Sequence, residues 1–149
     1  MTILGVGVDL VHVPSFADQI DRPGSRFERA FTAGERGDAR DRPVAHARHL
    51  AVRWAAKEAV VKAWSAWLFG TPPVMDERVH HLIEVVTDAW GRPRVRLHGE
   101  VATHLTGCAL DLSLSHDGDY AIAYVVLHRS HSAGATASLR RAGRPRGGA

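Results

Sequence analysis

The chain has 149 residues, 45% of them hydrophobic, with one cysteine and a formal charge of +3, which suits a single domain with its own hydrophobic core. A disulfide scaffold is excluded because Cys108 has no second cysteine to bridge, and no apolar run is long enough to span a bilayer. The positive charge does not mark a nucleic-acid surface: Arg129, Arg140, Arg141, Arg144 and Arg146 lie after residue 128, where no Asp or Glu occurs, and the first 128 residues hold 14 basic against 16 acidic groups.

The opening "MTILGVGVDLV" lacks the cationic start of a signal peptide. With a lone cysteine, this leads us to expect a cytoplasmic protein. Residues 3 to 11 alternate strictly, with Leu4, Val6, Val8 and Leu10 on one face and Gly5, Gly7 and Asp9 on the other. The two glycines leave that second face bare, so another backbone can come close. Between Pro14 and Thr32, Phe16, Ile20, Phe27 and Phe31 are broken by "DRPG", which predicts a short helix, a turn and a second helical piece. Residues 34 to 45 read as a charged loop. A long helix is expected from about Ala45 to Phe69, ending before "GTPP".

The second half reads as strands. "HLIEVVTDAWGRPRVRLHG" gives two extended runs about a Gly-Arg-Pro turn, with Val95 and Leu97 inward and Arg94, Arg96 and His98 outward. "EVATHLTG" fits a short helix. In "LDLSLSHDGDYAIAYVVLH", Leu110, Leu112 and Leu114 alternate with Asp111, Ser113 and Ser115 before a turn at "HDGD" and a last strand. The expected fold is α+β: one domain over residues 1–128, with a largely antiparallel sheet packed against one long helix and shorter ones. Residues 129–149, rich in Gly, Ala, Ser and Arg, are expected to form a disordered basic tail.

Chemistry concentrates in the long helix, in "RWAAKEAVVKAW". On a helical wheel Glu58 lies only about 40° from Trp54, at the edge of the stripe formed by Leu50, Trp54, Val61 and Leu68. A carboxylate there loses hydration, so either Lys62, four residues on, or a cation must replace it. Asp9, on the bare strand face, could be a strand-end acceptor; if helix packs on strand, two carboxylates and a lysine converge, a set that suits a hard divalent ion holding a phosphate. The ten histidines, His80 and His81 included, show no zinc spacing. His116 stands out for its place at a strand end beside Ser115. There is no GxSxG elbow, and "GVGVD" is not a dinucleotide loop.

Five segments, "GVGVDLV", "FERAFTAGE", "RWAAKEAVVKAW", "WGRPRVRL" and "LSLSHDGDYAIAYVV", occur in the order and spacing of the holo-acyl carrier protein synthase family, the small bacterial 4'-phosphopantetheinyl transferases. The chain resembles that family over residues 1–128, and its wording is that of the actinobacterial members. The resemblance implies transfer of 4'-phosphopantetheine from coenzyme A to a serine of apo-acyl carrier protein, releasing adenosine 3',5'-bisphosphate, as in fatty acid biosynthesis. It implies Mg²⁺ held by Asp9 and Glu58, Lys62 on the diphosphate, and Glu58 or a metal-bound water as the base. Arg53, Arg92, Pro93, Ser115 and His116 match regions that hold coenzyme A. It further implies a homotrimer with active sites between subunits, and an acidic carrier met by Arg22, Arg26 and Arg29. Many members carry a basic residue a few positions after the metal aspartate, whereas this chain reads "HVPSF" with Pro14. The rival reading is a small α+β module that binds nucleic acid through its basic tail.

Overall fold

The computed structural model describes residues 1–40, 45–76 and 78–130. Strand β1 (Ile3–His12) leads into α1 (Val13–Ile20), α2 (Ala33–Arg40) and the long α3 (His46–Trp67); β2 (Ile83–Thr87), β3 (Pro93–Leu97), α4 (Gly99–His104), β4 (Cys108–Asp117) and β5 (Tyr120–Arg129) follow. This is the expected order of strand, helices, two strands, short helix and two strands. One antiparallel sheet has the order β1-β5-β4, and β2 and β3 form a separate hairpin. The first strand therefore pairs with the last, Val8 opposite Tyr124 and Asp9 opposite Ala123.

The bare face of β1 meets α3. A Cβ built on Gly5 would lie 2.0 Å from the Ala63 carbonyl oxygen, and one on Gly7 would lie 1.9 Å from that of Ala59. No side chain fits there, so strand and helix touch backbone to backbone. The usual arrangement is thereby inverted. The glycines are buried, while Val6, Val8 and Leu10 are exposed on the outer face, beside Ile122 and Tyr124 of β5.

Helix α3 is enclosed around much of its circumference rather than along one stripe: Leu50, Trp54, Ala55, Ala56, Ala59, Val60, Ala63 and Trp64 are all buried. Phe27 stands edge-on to Trp54 at 4.8 Å and to Phe16 at 4.8 Å. Phe27 and Phe31 reach this cluster from a run of turns, with Glu28 N–H bonding Ser25 O and Ala30 N–H bonding Phe27 O, and not from the second helical piece expected before Thr32. The helix lies a little later. Residues 34–40, expected as loop, belong with Ala33 to α2, because Thr32 and Glu35 make a reciprocal capping box: Glu35 N–H donates to Thr32 Oγ1 (3.2 Å), and Thr32 N–H donates to Glu35 Oε2 (2.9 Å). Residues 41–44, the rest of that expected loop, lie outside the described residues.

Glu35 is itself buried and so is Lys57, at 0% exposure. Lys57 Nζ lies 2.8 Å from Glu35 Oε2, donates to His80 O at 2.9 Å and also bonds Ile83 O. Glu35 Oε1 accepts from Val85 N–H at 2.9 Å. Burial pushes the Lys57 ammonium down from its usual pKa, and Glu35 opposes the shift. Each ion loses several kcal/mol of hydration, which the pair's attraction offsets only where the remaining protons and lone pairs are satisfied, as they are here.

At the C-terminal end, β5 runs one residue past the boundary placed at 128. Arg129 N–H bonds Thr2 O, and Ser130 N–H bonds Gly107 O, so the folded unit includes both residues. The expectation of a disordered tail falls on residues 131–149, outside the described residues.

Two substitutions test this packing. Gly7→Ala forces α3 off the sheet and should cost about 3 kcal/mol, at the upper end for overpacking, read as a lowered urea midpoint. Lys57→Met strands a buried carboxylate and should cost about 3–5 kcal/mol; the double variant Glu35→Gln/Lys57→Met should regain part of that loss in the same denaturation assay.

Candidate active site

The close approach of β1 and α3 decides where the charges meet. Gly5, Gly7 and Asp9 share one strand face, so with the two glycines against the helix, Asp9 faces its next turn. Lys62 reaches across, its Nζ 2.8 Å from Asp9 Oδ1 and 3.0 Å from Val8 O. Glu58 lies close enough to raise the Asp9 pKa by repulsion, and Arg26 bears on both carboxylates. The structure thus brings Asp9, Glu58 and Lys62 together, as the sequence pattern suggested.

The pairing differs from the simple one. Glu58 and Lys62 do not form the i,i+4 bridge that their spacing allows. Glu58 Oε1 instead lies 3.1 Å from His80 Nε2, and Lys62 belongs to Asp9. The consequence is electrostatic. Burial pushes the Asp9 carboxyl up, with Lys62 pulling against it, whereas the His80 contact holds the Glu58 carboxyl below the usual carboxylate range against its own partial burial. The two acids are driven apart in pKa, a common feature of sites that handle protons.

A second group of residues surrounds a cleft of about 490 Å³, lined by Asp38, His49, Arg53, Thr87, Pro93 and Leu114 among others. Arg53, from α3, is buried; its Nη2 lies 3.7 Å from Asp38 Oδ2 and its Nη1 donates to His49 O at 3.3 Å. Arg92 stands at the β2–β3 turn, bonding Asp88 Oδ2 at 2.5 Å with its guanidinium 5.0 Å from the ring centre of the exposed Trp90. Ser115 and His116 are exposed, next along β4 after Leu114. His116 does not follow the strand but is part of it, opposite Ala121.

Arg22, Arg26 and Arg29 are exposed on the turns after α1. Arg26 lies 5.0 Å from the centre of the Phe27 ring and 5.2 Å from that of Trp54, and its charge lowers the pKa of both carboxylates. Pro14 sits in the first turn of α1, which His12 caps by accepting from Ser15 N–H. His80 and the Lys57–Glu35 pair stand outside the residues that the sequence pattern marks. His80 reaches Glu58 from a 3₁₀ turn (His80–Leu82) 22 positions away, and no local spacing signals that contact.

A metal or cofactor has to fit these residues. Asp9 and Glu58 present carboxylate oxygens, the donors a hard divalent cation prefers, and their mutual repulsion is what such an ion would relieve. Among the described residues no cluster of three or more His, Cys, Asp or Glu is arranged to enclose a metal. Two carboxylates fit an ion that keeps its waters and shares phosphate oxygens, as Mg²⁺ does.

The 4'-phosphopantetheinyl transferase superfamily, in its ACPS family model, matches residues 5–125. A holo-[acyl-carrier-protein] synthase of Mycobacterium ulcerans is 57% identical over 130 residues, covering 87% of this chain and all of the relative. Among solved structures, the ACPS–CoA complex of Chronobacterium ammoniagenes superposes with a TM-score of 0.79 at 47% identity, covering 85% of this chain and 98% of that one. The acyl carrier protein synthase of Mycobacterium tuberculosis gives a TM-score of 0.72 at 49% identity, covering 86% and 99%. Five motifs in register, the fold that places them, and full-length relatives at this identity lead to one assignment: the chain belongs to the 4'-phosphopantetheinyl transferase superfamily.

Proposed function

We propose that the protein transfers 4'-phosphopantetheine from coenzyme A to a serine of apo-acyl carrier protein, releasing adenosine 3',5'-bisphosphate. The observation that carries this reading is the convergence of Asp9, Glu58 and Lys62 where β1 meets α3, in a chain whose relatives are holo-acyl carrier protein synthases.

Lys62 is half exposed while holding Asp9, so its ammonium can turn to a diphosphate without leaving a buried charge behind. Glu58, held ionised beside His80, accepts the serine proton directly or through one water. Its low pKa is no obstacle, because phosphoryl transfer passes through a loose transition state that asks little of the base until late. Asp9 and Glu58 would hold Mg²⁺, which when bound supplies positive charge against the diphosphate and the leaving bisphosphate. The cleft at Arg53 and Pro93, with Arg92, Ser115 and His116 near it, would take the nucleotide half of coenzyme A. Arg22, Arg26 and Arg29 would meet carboxylates of the carrier, whose acidity the overall charge of this domain does not by itself attract.

The outer face of β1 and β5 supports a homotrimer with sites between subunits. Leu10 is 60% exposed and Val8 48%, beside Tyr124 and Ile122, an apolar patch that a second and third copy of the chain would cover. Among the described residues no helix is long and apolar enough to cross a membrane. The nucleic-acid reading through the basic tail finds no support in the comparisons. A place in the cytoplasm and in fatty acid biosynthesis accords with the transferase reading.

The activity is tested by incubating the protein with coenzyme A, Mg²⁺ and an apo-carrier, and weighing the intact carrier. Wild type should add one phosphopantetheine; Glu58→Gln, which preserves shape, should lower turnover at least about a hundredfold. Near-normal turnover in that variant overturns Glu58 as ligand and base. Val8→Glu should shift the assembly toward monomer in sedimentation and abolish transfer; an unchanged sedimentation coefficient argues against this face as the interface.

A further inference from the structure

Resting on the transferase reading above, we propose that His80 is a positioning residue that fixes the Glu58 carboxylate, and that α3 holds His80 for this purpose by three successive grips. Trp54, Lys57 and Glu58 stand at i, i+3 and i+4 on α3, so they share one side of the helix. Each takes a different part of the same histidine. Trp54 stacks against the ring, with centres 4.5 Å apart and planes inclined by 33°; Lys57 Nζ holds the backbone carbonyl at 2.9 Å; and Glu58 Oε1 lies 3.1 Å from Nε2, a close polar contact that is not aligned as a hydrogen bond.

The main chain at this point is fixed from both directions. Lys57 also bonds Ile83 O, at the start of β2, and its partner Glu35 accepts from Val85 N–H. With its backbone pinned and its ring lying on Trp54, His80 has little freedom, and the side chain it touches inherits that order. Without it, Glu58 has Lys62 as a charge partner one turn on. That alternative would draw Glu58 toward the lysine and place both carboxylates in competition for one ammonium. With His80 in place, Asp9 keeps Lys62 and Glu58 keeps its own partner. A reacting group misplaced by about 1 Å can lose two orders of magnitude in rate.

Two variants separate positioning from simple packing. His80→Phe keeps a ring for Trp54 and removes Nε2; His80→Gln loses the ring but keeps a donor that can reach Glu58. Four quantities are measured for each: kcat and coenzyme A KM in carrier modification, the affinity for Mg²⁺ titrated calorimetrically into the coenzyme A complex, and the melting temperature. We expect His80→Phe to melt close to wild type, to lose at least about tenfold in kcat with KM within about twofold, and to bind Mg²⁺ several times more weakly. His80→Gln should recover most of the kcat and the Mg²⁺ affinity even if it melts lower. Wild-type kcat and Mg²⁺ affinity in His80→Phe overturn the proposal. So does an equal fall of both variants in step with their melting temperatures, which would make His80 a packing residue only. If His80→Phe does not fold, a loss of kcat and Mg²⁺ affinity in folded His80→Gln overturns it, and their retention supports it. A wild-type protein that leaves the carrier unmodified instead removes the underlying transferase reading, an outcome distinct from any of these.

Discussion

A lysine cut off from water stays in a fold only if each of its protons finds an acceptor, and Lys57 finds its three on separate parts of the chain. One is Glu35, which at the same time closes the capping box of α2 and accepts from β2; the others are the carbonyls of His80 and Ile83, at the entry to β2. The central helix is thereby tied to the segment before it and to the segment after it through one ammonium. The stacking of His80 on Trp54 and its contact with Glu58 follow from where that ammonium holds the chain. A buried pair of this kind adds little net stability, since hydration lost offsets attraction gained. What it determines is geometry: neither ion can move without leaving the other stranded.

The same logic sorts the charges nearer the surface. Two carboxylates and one lysine offer several pairings of similar strength, since an exposed ion pair is worth no more than about 1 kcal/mol. The fold selects among them by distance. Backbone contact between β1 and α3 brings Asp9 within reach of Lys62, and the 3₁₀ turn brings a histidine to Glu58. Opposite displacements of the two carboxyl pKa values follow from those neighbours.

Much of this was legible in the sequence because it rests on short-range pattern. The alternation of β1 gave its bare face, and the meeting of that face with a backbone was predicted from two glycines alone. The long helix and the hairpins were legible from periodicity and turn residues. The helical segment after Thr32 is harder to place, because apolar Phe27 and Phe31 suggest a helix before it, whereas the Thr32–Glu35 cap marks a helix start without any apolar stripe. Lys57 went unread for a related reason. A single-stripe wheel assigns a charged residue to the solvent side, but α3 is enclosed on several sides, and its buried lysine is compatible with the core only through partners on α2 and β2. The convergence of Asp9, Glu58 and Lys62 was suggested by residue types, and the resemblance singled out the same three. Their actual partners depend on contacts between segments far apart in the chain, which no window of sequence contains.

Among the described residues, strand β1 has one hydrogen-bonded neighbour, β5, and that neighbour is the last strand described. A ribosome therefore delivers the first strand well over a hundred residues before the one that completes its ladder. During that interval the glycine face can find α3, but the backbone groups on the strand's edge have no partner in the sheet, and Val6, Val8 and Leu10 gain no cover from the chain's own layers. A chain interrupted between β1 and residue 120 carries an apolar strand with both edges open, where the finished sheet leaves it one, and is in that form more exposed to aggregation and to chaperones.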